Sequence, residues 1–376
     1  MPPGALAMTA SAVGASTSSS PGRSEARYRR LPTTNAVDRK YHTLDTAPDG
    51  SVVSFGGLVS GGRGDEREGK PVADVLRLDP ETGEWRTVAT QGGPSPRNEP
   101  CGAIIGSSLW VFGGSLEAES GGQGESCDEL WRFDLDSAEW ERVRAAGGPS
   151  ARCASGCACS GASLYVFGGG GIAPGRTDGA TMPELGDAFA FDTEQQVWRE
   201  LRPPQGSVAP VGRSLPQIAV PGGGDELFLF GGFSRGHRLN DTWVLSLGSC
   251  SWAELPVPEA ERPVPRSCHA GVVVQGGSHW VIVGGRVGFG AAATAHLHGE
   301  AVVDTHDASD VWSFSFAERR WRELTVGGDG PGPRRSHGMT VVRRGGAERL
   351  LVYGGRSEER PVLASTYELT IEALRG

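Results

Sequence analysis

The chain has 376 residues, 22% of them charged and 38% hydrophobic, with 58 glycines and a formal net charge of −9. This is the make-up of an ordinary soluble globular chain. The acidic balance argues against nucleic-acid binding through a basic surface, and no apolar run reaches the roughly 18 residues that a membrane helix needs. Seven cysteines without paired spacing point to a reducing, cytoplasmic location.

Residues 1–24 are rich in Ala, Ser, Thr, Pro and Gly and contain no Asp or Glu. They read as a disordered tail. Their Ser-rich, acid-poor character also fits a transit peptide, although Arg23 is the only basic residue in support.

From there on a hexad recurs: VVSFGG (Val52 to Gly57), LWVFGG (Leu109 to Gly114), LYVFGG (Leu164 to Gly169), LFLFGG (Leu227 to Gly232), WVIVGG (Trp280 to Gly285) and LLVYGG (Leu350 to Gly355). Repetition at intervals of roughly 50 residues marks the units of a propeller. Each glycine pair is followed by a variable loop and then a short alternating strand opened by Asp74, Glu129, Asp187, Asp241, Asp310 or, in the last unit, Ser365. Alternation suits a strand with two different faces. Six residues beyond the end of the first five strands stand Trp85, Trp140, Trp198, Trp252 and Trp321, each with an apolar residue three positions later. The identical spacing implies a turn of fixed length. The sixth unit has no such Trp, but Tyr28 and Leu31 supply the same aromatic-x-x-apolar pattern at the other end of the chain. The N-terminal strand is therefore expected to complete the sixth unit, which removes the open edge of a ring of sheets. Upstream of each glycine pair lies one more strand, introduced by Lys40, Arg97, Arg152, Arg213, Arg266 or Arg334. Each unit thus reads as strands a, b, c and d.

Strand b ending in Gly-Gly, a loop, an acidic residue and a Trp at fixed spacing together resemble the kelch repeat. The resemblance implies an all-β fold: a six-bladed kelch β-propeller over residues 25–376, with four-stranded antiparallel blades and the last blade closed by the N-terminal strand. The Trp side chains are large enough to fill the gaps between blades, each burial being worth about 2–3 kcal/mol. Among members that consist of the propeller alone, the Rab-effector-like ones look nearest in organisation.

The b–c and d–a loops leave such a fold on one face, and the b–c loops are long in four of the units. That face is the expected binding surface. The ring Lys40, Arg97, Arg152, Arg213, Arg266 and Arg334 falls on the same side. Guanidinium groups grip carboxylates with paired hydrogen bonds, so this ring is the candidate binding site for a protein or peptide, possibly acidic. The competing reading is structural, each basic residue tying down the carbonyls of a neighbouring loop. His298, Glu300, Asp304 and His306, in the fifth b–c loop, are candidate metal ligands. Nitrile-specifier-type kelch proteins carry a Glu-x-x-x-Asp-x-x-x-His motif. Glu300 and Asp304 match its first half, but Ala308 stands where the His belongs. Cys153, Cys157 and Cys159 are expected to share one face of a strand and to act as small core residues, and the equivalent positions of His269 and His337 suggest a structural role.

The chain is accordingly expected to be a monomeric interaction scaffold without a cofactor. The alternative is a small-molecule propeller enzyme, mutarotase-like or iron-dependent and specifier-like, using the axial pocket. No nucleophile elbow or phosphate loop is present.

Overall fold

The computed structural model describes residues 25–61, 69–117, 123–171, 184–288 and 305–372. The 1–24 tail lies outside them. The described residues form strands, with two short 3-10 turns between them.

The strands pair as six four-stranded antiparallel units. In unit one the order is Thr43–Thr46, Val52–Phe55, Val75–Asp79 and Glu84–Val88, and it is also the chain order. Units two to five repeat this a-b-c-d arrangement. Unit six consists of Gly338–Arg344, Ala347–Tyr353 and Thr366–Ile371, and its fourth strand is Ala26–Arg30 from the other end of the chain. That strand runs antiparallel to strand c, Tyr28 opposite Leu369 and Arg30 opposite Tyr367. Its outer edge is covered by Val326–Gly328, paired in parallel. The expected closure is thus the closure observed. The innermost a strands neighbour one another in cyclic order, unit six returning to unit one, so the fold is a β-propeller.

Strand b supplies the core. Its apolar residues are buried in every unit because both of its faces meet neighbouring units. The d-strand Trp fills the space between units. Trp140 packs on Phe55, Trp198 on Phe112, Trp252 on Phe167 and Trp321 on Phe230, with ring centroids 4.6–5.5 Å apart. Each partner is the residue just before the glycine pair of the preceding unit. Trp85 closes the circle on Tyr353 of unit six at 4.3 Å. Between units five and six the place of the Trp is taken by Tyr28, in one apolar cluster with Val283.

The glycine pair is required by what comes next in the ring. The first glycine of each pair has φ of 58–69°. A Cβ there would lie 2.4–3.0 Å from a backbone carbonyl of the next unit: that of Arg97, Arg152, Arg213, Arg266, Arg334 or Arg39. A side chain would be strained twice over, by the left-handed backbone and by the approach.

Candidate functional site

The repeated basic residue is the node of this inter-unit joint. Its carbonyl seats the glycine pair of the preceding unit, and its guanidinium binds within its own unit. Nη1 of Arg97, Arg152, Arg213, Arg266 and Arg334 donates to the carbonyl of Gly113, Gly168, Gly231, Gly284 and Gly354 at 2.9–3.1 Å. In the first four of these the same guanidinium also pairs with the acid that opens strand c, Glu129, Asp187, Asp241 or Asp310, at 2.6–2.7 Å. In three units a Trp two residues after the acid donates its indole N–H to that carboxylate. Burial pushes the Asp310 carboxyl upward, but hydrogen bonding and charge from Arg266, with Trp312, outweigh it and hold the pKa below the usual carboxylate range. Arg97, Arg152, Arg213, Arg266 and Arg334 are all at most 2% exposed, and the first four spend their hydrogen bonds inside the clamp. This geometry fits the tethering role rather than an open ring of anion receptors.

In unit one the clamp residue is Arg39, not Lys40. Arg39 donates to the Gly56 carbonyl at 2.9 Å and pairs with Asp74 at 2.9 Å, and its own carbonyl seats the unit-six glycines. Lys40 occupies the following position, buried, with its ammonium 6.0 Å from the Tyr41 ring. The shift by one residue reflects a longer a–b turn in unit one, Ala47 to Ser51, where unit two needs only Gly106 and Ser107.

The individual chemistry of the units begins one residue past the clamp. The positions after the arginine, Lys40, Asn98, Cys153, Ser214, Ser267 and Arg335, bridge to the residue following each glycine pair: Leu58, Ser115, Gly170, Phe233, Arg286 and Arg356. The next position adopts a left-handed backbone with a non-glycine residue in all six units: Tyr41, Glu99, Ala154, Leu215, Cys268 and Ser336, φ 52–58°. Backbone hydrogen bonds connect these residues around the axis: Glu99 to Tyr41, Ala154 to Glu99, Leu215 to Ala154, Ser336 to Cys268 and Tyr41 to Ser336. Strain of this kind, held by its surroundings, concentrates at functional positions. The six residues and their successors line an axial mouth of about 130 Å³. At the other end the axis opens into a cavity of about 610 Å³ lined by the innermost strands. Its carboxylate, Asp45, accepts backbone N–H groups of Thr46 at 2.8 Å and Ile104 at 2.7 Å.

The mouth is asymmetric in charge. On the side of units four to six, Arg286 and Arg335 both pair with Asp307, whose side chain is buried, and Arg286 also reaches Glu358 at 2.8 Å. Arg238 stands nearby with Nε and Nη1 unpartnered. Burial lowers its pKa, as do the charges of Arg286 and Arg335, while Cys268 and Asp307 act in the opposite sense. On the side of unit two, burial raises the pKa of Glu99, against a hydrogen bond from Cys153 and the charge of Lys40. Arg238, Arg286 and Arg335 do not stand out in the repeat pattern. Arg286 occupies the position that Leu58, Ser115, Gly170 and Phe233 fill in units one to four.

Of the metal candidates, His298, Glu300 and Asp304 lie outside the described residues. His306 is exposed at the start of strand His306–Ser315, opposite Val287. Among the described residues no group of three or more His, Cys, Asp or Glu side chains is arranged to hold a metal. The cysteines differ from expectation. Cys153 precedes the strand that holds Cys157 and Cys159, separated from it by the left-handed Ala154. Cys157 forms a disulfide with Cys101 that joins the innermost strands of units two and three, Cα atoms 5.4 Å apart. Burial, then the charge of Asp45, pushes the Cys159 thiol up to about 12. His42, His269 and His337 sit at equivalent positions, each with its Cβ against the second glycine of its own unit and Cε1 against the first glycine of the preceding one.

A closed ring of four-stranded sheets with Gly-Gly, Arg and Trp at its joints defines a kelch-type propeller. The family model for the KLHDC2/KLHL20/DRC7 Kelch-repeats domain matches residues 41–285 and 175–355, and the chain belongs to this family. Its sequence is 27% identical over 366 residues to Adagio-like protein 3 of Oryza sativa subsp. japonica, covering 91% of this chain and 52% of that protein. It is 26% identical over 291 residues to the N-(sulfonatooxy)prop-2-enimidothioate sulfolyase of Thlaspi arvense, covering 74% and 76%. With Kelch domain-containing protein 3 of Bos taurus the identity is 24% over 330 residues, covering 81% and 75%. The chain thus spans about half the length of the Adagio-type relative. The solved structure of YjhT superposes with a TM-score of 0.65 at 16% identity, covering 89% of this chain and 95% of that one, a likeness of fold. Among the described residues no helix is long and apolar enough to cross a membrane.

Proposed function

We propose that the chain is an interaction scaffold that takes a protein or peptide segment on its b–c and d–a loop face, with an acidic side chain of the partner docking on Arg238, Arg286 and Arg335. The carrying observation is the pairing of two guanidinium groups, Arg286 and Arg335, with one buried carboxylate, Asp307, beside Arg238, two of whose nitrogens are unpartnered. Such a cluster has capacity for a further carboxylate, because arginine forms strong charge-assisted pairs in planar geometry. Kelch-repeat relatives support the reading at the level of family.

The test is selection from a random peptide display library on the full chain and on the Arg238→Glu/Arg286→Glu variant, with folding of both checked by melting. Enrichment of acidic peptides on the parent, lost on the folded variant, is the expected outcome. Equal enrichment on both, or none on either, rejects the reading. The sulfolyase relative keeps a second reading open, a specifier-like enzyme with His298, Glu300, Asp304 and His306 as metal ligands. It requires iron to be retained on purification and lost in the Glu300→Gln/Asp304→Asn variant.

A further inference from the structure

Five of the six clamps set a buried guanidinium against a carboxylate. The sixth does not. Nη1 of Arg334 holds the Gly354 carbonyl at 3.0 Å, as in every other unit. Its Nη2 meets only neutral oxygens, the Pro331 carbonyl and, at 3.4 Å, Ser365 Oγ. Its Nε has no partner. Among the described residues no carboxylate pairs with Arg334, although it is only 2% exposed. Burial pushes its pKa down to about 10, offset only in part by Tyr367 and Tyr28.

Ser365 occupies the position of Asp74, Glu129, Asp187, Asp241 and Asp310. Like Asp74, Glu129 and Asp187 it immediately precedes strand c, and two residues later comes Tyr367, where three other units place the Trp that donates to the acid. Tyr367 instead has its ring 5.2 Å from the Arg334 guanidinium. The sixth clamp therefore holds a cation and a hydroxyl where the other five hold a cation and an anion. The residue is partly exposed, on the loop face, at the end of the b–c segment. In the other clamps the acid side chain is 20–32% exposed, so the seat itself borders solvent.

We propose that Ser365 is a phosphorylation site and that its phosphoryl group supplies the missing anion of the sixth clamp. A protein kinase would transfer the γ-phosphoryl group of ATP. The Ser365 Oγ–P bond forms, the bond from the γ-phosphorus to the bridging oxygen breaks, ADP leaves, and the hydroxyl proton passes to the kinase base. Phosphoserine carries nearly two negative charges and three strong acceptor oxygens, and beside a guanidinium it orders the segment that bears it. The segment here matters for the whole ring. Ser365 leads directly into Thr366–Ile371, the strand on which the N-terminal strand closes the propeller. Phosphorylation would tighten the one joint made by the two ends of the chain.

The experiment compares the full chain with phosphoserine incorporated at position 365, the unmodified chain, Ser365→Asp and Ser365→Ala. Phosphoserine and Ser365→Asp should each raise Tm by about 2 °C or more, and Ser365→Ala should not. The gain should vanish when Arg334 is replaced by Gln. If that variant fails to fold, hydrogen exchange at Arg27–Arg30 in the phosphorylated chain gives the same answer, slower exchange supporting the clamp. A Tm unchanged or lowered by phosphoserine overturns the proposal. So does phosphopeptide mapping that finds Ser365 unmodified in chain recovered, under phosphatase inhibition, from the cells that make it.

Discussion

In unit five, Arg266 lies across both oxygens of Asp310 at 2.8 and 2.7 Å, and Trp312 holds the same carboxylate at 2.8 Å. In unit six, Arg334 has neither acid nor indole, yet it reaches its glycine carbonyl at 3.0 Å against 2.9 Å in unit five. The backbone contact persists where the charge pair is lost. It follows that the repeat depends first on shape, on a long donor that can span from one strand to the glycine turn. The counter-charge is a separable reinforcement, and one unit lacks it. Unit six is also the unit assembled from two ends of the chain, so its joints are the ones whose failure opens the ring.

Removing the closing strand should have the largest effect. Deleting residues 1–24, whose Ala, Ser, Thr, Pro and Gly offer no apolar run to bury, should leave Tm nearly unchanged. Deleting 1–34 removes Ala26, Tyr28 and Leu31, all buried, together with five cross-strand pairs. Burial of Tyr28 and Leu31 alone amounts to about 4 kcal/mol, a large part of what holds a domain together. The shorter chain should unfold or aggregate. Equal melting of the two truncations would remove the distinction between unit six and the rest.

The joints also differ in how they respond to acid. Units five, six and one place His269, His337 and His42 between successive glycine pairs, where units two, three and four have Pro100, Ser155 and Pro216. All six imidazole nitrogens are buried without a protein partner. Burial, then the Arg334 guanidinium, pushes the His337 pKa down to about 3. Burial, then neighbouring Arg39 or Arg266 and His337, puts His42 and His269 well below the usual value. A base whose folded pKa is depressed contributes stability that is complete above its unfolded pKa, near 6.5, and is lost as pH falls toward the folded pKa. The stability of the chain should therefore decline from about pH 6.5 downward, by up to about 1.4 kcal/mol per pH unit for each histidine, with Glu99 and Asp45, whose carboxyls burial pushes up, acting in the opposite sense. Melting curves between pH 7 and 5 measure it. His337→Asn should flatten the slope by about a third, and a flat parent curve in this window would contradict the assignment.

The parts of this design that were legible in the sequence are those that shape dictates in every unit. The glycine pair, the d-strand Trp and the Tyr28–Leu31 substitute are each forced by contact with a neighbour, so they recur at fixed spacing. The clamp register was legible only to within one residue, because Arg39 and Lys40 are both basic and the unit-one turn differs in length. Arg238, Arg286 and Arg335 were not legible. They belong to different units, and nothing in the spacing says that the ring brings Arg286 and Arg335 to one buried Asp307, with Arg238 beside them. The Cys101–Cys157 pair is hidden for the same reason, being a contact between neighbouring a strands 56 residues apart.

The smallest effect expected is the difference between two like substitutions. Arg266→Met strands Asp310, 23% exposed, beside an apolar side chain, and breaking such a largely buried pair costs about 3 kcal/mol. Arg334→Met strands no carboxylate. It loses the hydrogen bond to Gly354, worth about 1 kcal/mol, but also removes a buried cation whose desolvation was never offset by an anion. The two should differ by about 2 kcal/mol in denaturant unfolding at neutral pH, with Arg266→Met the less stable. The gap should shrink below pH 4, where protonation of Asp310 removes the stranded charge. If Arg334→Met is as costly as Arg266→Met at both pH values, the guanidinium in unit six has a counter-charge that the unmodified chain does not display, and the separation of shape from charge in these joints fails.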